Sequence, residues 1–450
     1  MSRAETAGRD PAIRPICLKG GRILDPSRGI DRVQELWLDQ GRIAGLGEDA
    51  PAALRSRSDV EVIDVSGAVV SPGWVDIHVH LREPGQEDKE TIETGTLAAA
   101  RGGFTTVACM PNTDPPLDDR PRVEYVIRRA RESGHARVLP IAAVTRGQAG
   151  EALTDIEDLV LAGAVAFSDD GKPVRNAEIM RRALELTRPL GVPVIQHAED
   201  PDLKGSGVVH EGWTSTRIGL KGIPDVAESV MVARDALLAE LTGGRVHVAH
   251  VSAARSVEII RKAKARGIAM TAEVTPHHLV LTDEAVSGYD TNTKMNPPLR
   301  STRDREALIE GVVDGTIDCL ATDHAPHTEI DKDNDFDSAP FGIIGLETAL
   351  GLYLKALVEP GHLTLPELLL RMTRKPLEVL GRRGGTLEAG EPADVTVFHP
   401  GERWTVRAAE SSSRSHNTPF DGWELSGRIW LTIVGGQVTW REQAALASGR

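Results

Sequence analysis

The stretch GWVDIHVHLREPG, residues 73–85, sets two histidines, His78 and His80, on either side of one valine at the end of an apolar run, with Arg82 two residues further on. Side chains alternate along a strand, so the two imidazoles share a face, about 6–7 Å apart along the backbone. Neutral imidazoles placed like that can both reach one metal ion. They can equally be core histidines satisfied by hydrogen bonds, and the pair alone leaves the two readings even. Arg82 falls on the same face, just past the wall, and its planar fork suits a carboxylate.

Working outward, VDIHVHL (75–81) is the first of eight strand candidates. The others are TTVACM (105–110), RVLPIAAV (137–144), GAVAFSDD (163–170), PVIQHA (193–198), RVHVAHVS (245–252), IAMTAEVT (268–275) and IDCLATDH (317–324). Amphipathic stretches such as AEIMRRALELTRPLG and DREALIEGVVDG separate them. This alternation predicts an α/β chain with a closed (β/α)8 TIM-like barrel over residues 74–384. A doubly wound open sheet alternates too. The barrel is favoured because five of the runs end in polar, chemically able residues, which a barrel gathers at one mouth and an open sheet strings along an edge. Before and after it, over 15–73 and 385–445, strand-like pieces such as ICLKGGRILDP, ELWLDQGRIAGLG, GTLEAGEPADVTVFHP and GRIWLTIVGGQVTW are punctuated by Gly, Pro and Asp. They predict a small β-sandwich domain built from both chain termini. Residues 1–14 read as a disordered arm.

Bulk composition narrows the function. Of 450 residues, 4% are aromatic and the net charge is −14, a poor match to nucleic acid. A local arginine or metal still admits a small anionic substrate. Three scattered cysteines, Cys17, Cys109 and Cys319, suggest reduced, buried thiols. The N-terminal stretch lacks the apolar core of a signal peptide, and no run of about 18 apolar residues occurs. A cytoplasmic protein with no membrane partner is expected. Neither a GxGxxG after a strand nor a GxxxxGK[ST] is present.

Four other strand ends change the odds for the histidine pair: Ser168-Asp169-Asp170, Gln196-His197, Ala249-His250 and Thr322-Asp323-His324. A buried carboxylate or imidazole is costly unless paired or bound to metal. His78, His80, His197, His250, Asp323 and one of Asp169 and Asp170 make the N/O donor set of Zn²⁺. Six ligands exceed one tetrahedral ion, whereas two ions sharing a carboxylate and a hydroxide use them all. Such a hydroxide is a nucleophile near neutral pH, and Asp323 can pass its proton to a leaving nitrogen. Hydrolysis of a C–N bond, or the reverse condensation, is predicted. His247, three residues before His250, is expected on the opposite face, between barrel and helices. His277 and His278 receive no ligand role, and His135, His210, His362, His399 and His416 read as structural or solvent-facing. Asn112 in MPNTDPP, Asn296 in KMNPPLR and His327 in TDHAPH lie in mouth loops, where turn chemistry alone also accounts for the two asparagines. Residues 328–342 read as a mobile lid, whose Pro340-Phe341-Gly342 end brings backbone N–H groups toward a ligand.

The motifs VDIHVHLREPG, TVACMPNTDPP, FSDDG, HAED, AEVTPHHL, KMNPPLR, ATDHAPH and APFGIIGLET together resemble the amidohydrolase superfamily, and within it the dihydroorotases of the long bacterial (class I) type. The resemblance runs from about Ile16 to the C-terminal region. It implies that His78 and His80 hold one metal, that Asp170 bridges, that His197 and His250 hold the second, and that Asp323 is the metal-bound catalytic acid–base. It places His80, Arg82, Asn112, Asn296, His327, Phe341 and Gly342 against substrate. Two Zn²⁺ per subunit are implied, with the second site open to partial filling. The implied reaction is reversible: (S)-dihydroorotate plus water gives N-carbamoyl-L-aspartate, the third step of de novo pyrimidine (UMP) biosynthesis. Many relatives bridge their metals with a carboxylated lysine; here the strand ends in aspartate, and Lys172, past Gly171, reads as a loop charge. The rivals are a hydantoinase- or allantoinase-like enzyme, whose substrates lack the side-chain carboxylate, and a non-catalytic scaffold partnering aspartate transcarbamoylase. The scaffold should have lost ligands, and every ligand position is filled. A homo-oligomer is expected, and association with the transcarbamoylase is compatible with an active enzyme.

Overall fold

All eight predicted runs contain a strand: β1 (Trp74–Val79), β2 (Phe104–Cys109), β3 (Arg137–Ala142), β4 (Ala166–Phe167), β5 (Val194–Gln196), β6 (Val246–Val248), β7 (Met270–Val274) and β8 (Cys319–Leu320). The computed structural model describes residues 13–442. Most of the arm expected over 1–14, and the end of the segment expected to reach 445, lie outside the described residues. The strands pair in parallel and in chain order within one sheet. The sheet closes on itself where the His80 N–H donates to the His324 carbonyl at 2.9 Å and Val79 bridges His324. That closure excludes the open doubly wound sheet.

Helices follow the pattern that predicted them. Ala177–Thr187 starts at Asn176, whose side chain accepts from the Glu178 and Ile179 N–H groups, and buries Met180, Ala183, Leu184 and Thr187 on one face. Thr302–Val313 starts with a reciprocal Ser301–Asp304 capping box. Strand alternation separates two apolar sets. Val107, Phe167, Val194, Val246, Val248 and Leu320 pack toward the helices. Val75, Ile77, Ala108, Ile141, Ala166, Ile195 and Cys319 fill the barrel interior.

The strands are shorter than their apolar runs because the backbone leaves extended geometry at the mouth. Arg82, His250 and Asp323 have φ of 59°, 32° and 48°. Non-glycine residues rarely adopt that left-handed region, and the strain clusters at functional sites.

Both chain ends contribute to two further sheets. One holds Ile16–Lys19, Leu36–Asp39, Arg42–Leu46 and Glu61–Asp64; the other holds Arg22–Asp25, Ile30–Val33, Val69–Pro72, Val395–Thr405, Glu424–Val434 and Gln437–Arg441. Leu18, Leu36 and Leu38 of the first meet Val395, Val397, Leu431 and Ile433 of the second in one core, so the chain termini build a β-sandwich beside the barrel. Trp74, at the start of β1, packs edge-on against Phe104 and Phe398, 5.9 and 5.2 Å between ring centres, joining the sandwich to the barrel. No helix among the described residues is long and apolar enough to cross a membrane. The three cysteines are buried and unpaired.

Candidate active site

The strand ends at the C-terminal mouth bring the four predicted histidines and two aspartates together. His78, His80 and Asp323 each offer an atom within 4.8 Å of the others, as do His78, Asp170 and His250. Asp170 Oδ1 lies 3.4 Å from His78 Nε2, 3.6 Å from His197 Nδ1 and 3.7 Å from His250 Nε2, and its Oδ2 lies 3.6 Å from His80 Nε2. Asp323 Oδ1 lies 3.0 Å from His80 Nε2 and 3.4 Å from His78 Nε2. All six side chains are buried. Asp169 turns the other way and accepts from the Thr145 N–H and hydroxyl, so geometry separates the two aspartates that strand alternation left equivalent. Lys172 donates to the Gln148 carbonyl at 3.4 Å, away from the cluster.

These residues fit a cation. His78 Nε2, Asp170 Oδ1 and His250 Nδ1 are buried without a hydrogen bond. His197 Nδ1 and His250 Nε2 lie 2.9 Å apart, both within 3.7 Å of Asp170 Oδ1. The electrostatics ask for positive charge. Burial pushes the Asp323 and Asp170 carboxyls up, but the adjoining imidazoles, His78 foremost, outweigh it and hold both ionised. Burial lowers His78, yet Glu273, Asp323 and Asp170 raise it well above the ordinary imidazole range. A proton there stands where a metal cation would satisfy the same carboxylates.

Of the seven substrate candidates, His80 belongs to this cluster and the other six lie around it. Asn112 Oδ1 lies 2.8 Å from His80 Nδ1, and Asn296 Nδ2 lies 3.1 Å from both His197 Nε2 and Glu199 Oε2. Both asparagines therefore orient histidines as well as rim the mouth, more than turn chemistry requires. Arg82 is buried; its Nε donates to the Pro326 carbonyl at 3.2 Å and a terminal nitrogen lies 3.4 Å from His327 Nε2. His327 Nε2 meets the Phe341 carbonyl at 2.8 Å. Burial, with Arg82 beside it, pushes His327 down to about 2, so it is a neutral ring. The Phe341 ring lies 4.9 Å from the Lys204 ammonium and 4.7 Å from that of Lys294. The Gly342 N–H donates to the Lys294 carbonyl, and at φ 132° a Cβ there would lie 2.8 Å from Ala325 Cβ. The lid segment lies docked: Lys332 Nζ donates to the Thr291 and Pro340 carbonyls, and Lys294 Nζ to those of Phe336 and Asp337.

One expectation is corrected. His247 does not pack between barrel and helices but points into the barrel, 3.0 Å from Glu273 Oε2. Alternation holds from His247 to Ala249; the left-handed backbone at His250 then turns that residue inward as well. Other participants gave weaker signals. Glu273 is a lone carboxylate in an apolar run, readable as a buried charge needing a partner. Burial raises it, but His78 and His247 outweigh that and hold it down to about 2. Asn417, far along the chain, accepts from the His327 N–H and donates to the Ala325 and Gly342 carbonyls, and nothing local announces it. His277 is buried with neither ring nitrogen hydrogen-bonded, and burial pushes it down to about 4.

A family model described as dihydro-orotase-like matches residues 67–256. The chain is 54% identical over 428 residues to a dihydroorotase of Pelotomaculum thermopropionicum, covering 95% of this chain and 99% of that one. It is 51% identical over 426 residues to a dihydroorotase of Syntrophotalea carbinolica, with the same coverage. Among solved structures, an L-hydantoinase (dihydropyrimidinase) from Arthrobacter aurescens superposes with a TM-score of 0.84 at 25% identity, covering 95% of this chain and 96% of that chain. Identical to such relatives at more than half of the aligned positions along almost its whole length, the chain belongs to the dihydroorotase family.

Proposed function

We propose that this protein is a dihydroorotase, a metal-dependent cyclic amide hydrolase that interconverts (S)-dihydroorotate plus water and N-carbamoyl-L-aspartate. The observation that carries the reading is the convergence of four imidazoles and two carboxylates on one buried point, with the Arg82 guanidinium at its edge. His78, His80, Asp170, His197, His250 and Asp323 would hold two Zn²⁺ ions. Bound there, the metal supplies Lewis acidity toward the amide carbonyl and brings the pKa of water near 7.

The chain's own groups account for the rest. Asp323, ionised, takes a proton from the attacking water and delivers it to the ring nitrogen as the C–N bond breaks; the reverse order closes the ring. Arg82 receives the substrate carboxylate, a group hydantoin and allantoin do not offer. Asn112, Asn296 and the neutral His327 orient the ring, and the docked Phe341-Gly342 segment keeps bulk water out. Lys172 lies outside the cluster, which supports aspartate as the bridge.

The test is turnover of dihydroorotate against hydantoin and allantoin by zinc-loaded protein. Preference for dihydroorotate that is lost in Arg82→Ala is expected. Preference for hydantoin, untouched by that substitution, would favour a hydantoinase.

A further inference from the structure

Beneath the six ligand candidates lies a second polar layer. Glu273, on β7, is fully buried, and its two oxygens serve three other strand positions. Oε1 lies 2.5 Å from His78 Nδ1 and accepts the His250 backbone N–H at 3.2 Å. Oε2 lies 3.0 Å from His247 Nε2, and His247 Nδ1 lies 2.9 Å from the Thr271 hydroxyl.

Glu273 Oε1 already accepts the His250 backbone N–H, and each of its oxygens has an imidazole nitrogen at hydrogen-bond distance, so both histidines are placed to donate to it. His78 therefore keeps a proton on Nδ1, and where a cation takes the place of its second proton the Nε2 lone pair faces Asp170 and Asp323, 3.4 Å from each. His247 donates from Nε2 and accepts from Thr271, which stops the carboxylate from turning away. The same carboxylate ties down the backbone of His250, the residue whose left-handed φ of 32° swings its ring into the cluster. Two ligand candidates on different strands thus depend on one group that touches neither substrate nor ion.

Resting on the metal-centre reading above, we infer that Glu273 is a positioning residue. It selects the His78 tautomer and fixes the His250 bend, with His247 as its brace, and so sets the affinity and geometry of the metal site. Partners of this kind are worth about 10–100-fold in metal affinity when removed.

Glu273→Gln keeps the volume and removes the charge. Cobalt(II) affinity of metal-free wild type and E273Q is measured by chelator competition, with the visible cobalt spectrum as a second readout. The expected result is an affinity about 10–100-fold weaker in E273Q, with shifted cobalt bands. A carboxylate that only filled space would leave both unchanged, and that result overturns the inference. Cobalt-free wild type would overturn the metal centre itself and this inference with it, so the two failures are distinguishable. Should E273Q not fold, two-bond ¹H–¹⁵N spectra of histidine-labelled, zinc-loaded wild type decide: a His78 proton on Nδ1 supports the inference, and one on Nε2 overturns it.

Discussion

Replacing Arg82 by lysine tests the substrate assignment most finely, because it keeps the charge and changes only the shape of the donor. The guanidinium offers five N–H groups, and Nε spends one on the Pro326 carbonyl at 3.2 Å. The two terminal nitrogens, one of them 3.4 Å from His327 Nε2, carry the four remaining N–H groups with which to meet a carboxylate side by side. Lysine offers a point charge in their place, so at least one charge-assisted hydrogen bond is lost, about 1.5–3 kcal/mol. At about 1.36 kcal/mol per tenfold, kcat/KM for dihydroorotate should fall about 13- to 160-fold. No discount for solvent screening applies, since Arg82 is 7% exposed. Steady-state kinetics of zinc-loaded R82K against wild type measure this, with hydantoin as the uncharged control. A fall below about threefold, or an equal fall on hydantoin, would refute carboxylate recognition by Arg82.

Three further outcomes follow from the same geometry. Asp323→Asn preserves shape and should leave the fold intact by circular dichroism while turnover drops by about 10²–10⁴, since an amide cannot carry the proton; activity within tenfold of wild type removes Asp323 from the chemistry. Gly85→Ala would put a Cβ 1.7 Å from the Asp114 carbonyl oxygen at a φ of 93°, forcing apart the loops that carry Arg82 and Asn112; denaturant unfolding should show a loss of about 1–3 kcal/mol, together with a raised KM, and an unchanged variant contradicts the packing. Burial, with Lys294 beside it, pushes Lys332 down to about 7. The unfolded chain keeps that amine protonated to about pH 10.4, so it binds more protons than the folded chain between pH 7 and 10, and stability must rise with pH there. The unfolding free energy of wild type minus that of Lys332→Met should climb across that window, and a flat difference rejects the shift.

The sequence made the mouth of the barrel legible because period-two alternation is a strong rule where the backbone stays extended. His78 and His80 obeyed it relative to each other, past a register irregularity between Asp76 and Val79, and so did His197 after Gln196 and Asp323 after Ala321. His250 did not: its left-handed backbone breaks the period, which is what misplaced His247 when counted back from it, and no residue type at that position announces the bend. Asp169 and Asp170 were indistinguishable along the strand; the Thr145 donors that claim Asp169 come from the loop after β3. Glu273 carried a signal, an unpartnered carboxylate in an apolar run, but its partners lie on other strands. Asn417 carried none, since it reaches the lid base only through the folding of a segment from the far end of the chain.

Anomalous diffraction at the zinc edge, on crystals grown zinc-replete with dihydroorotate, tests the central claim most directly. The account predicts strong peaks enclosed by His78, His80, Asp170, His197, His250 and Asp323, with the substrate carboxylate on Arg82. A map with no anomalous density among those six side chains would contradict it.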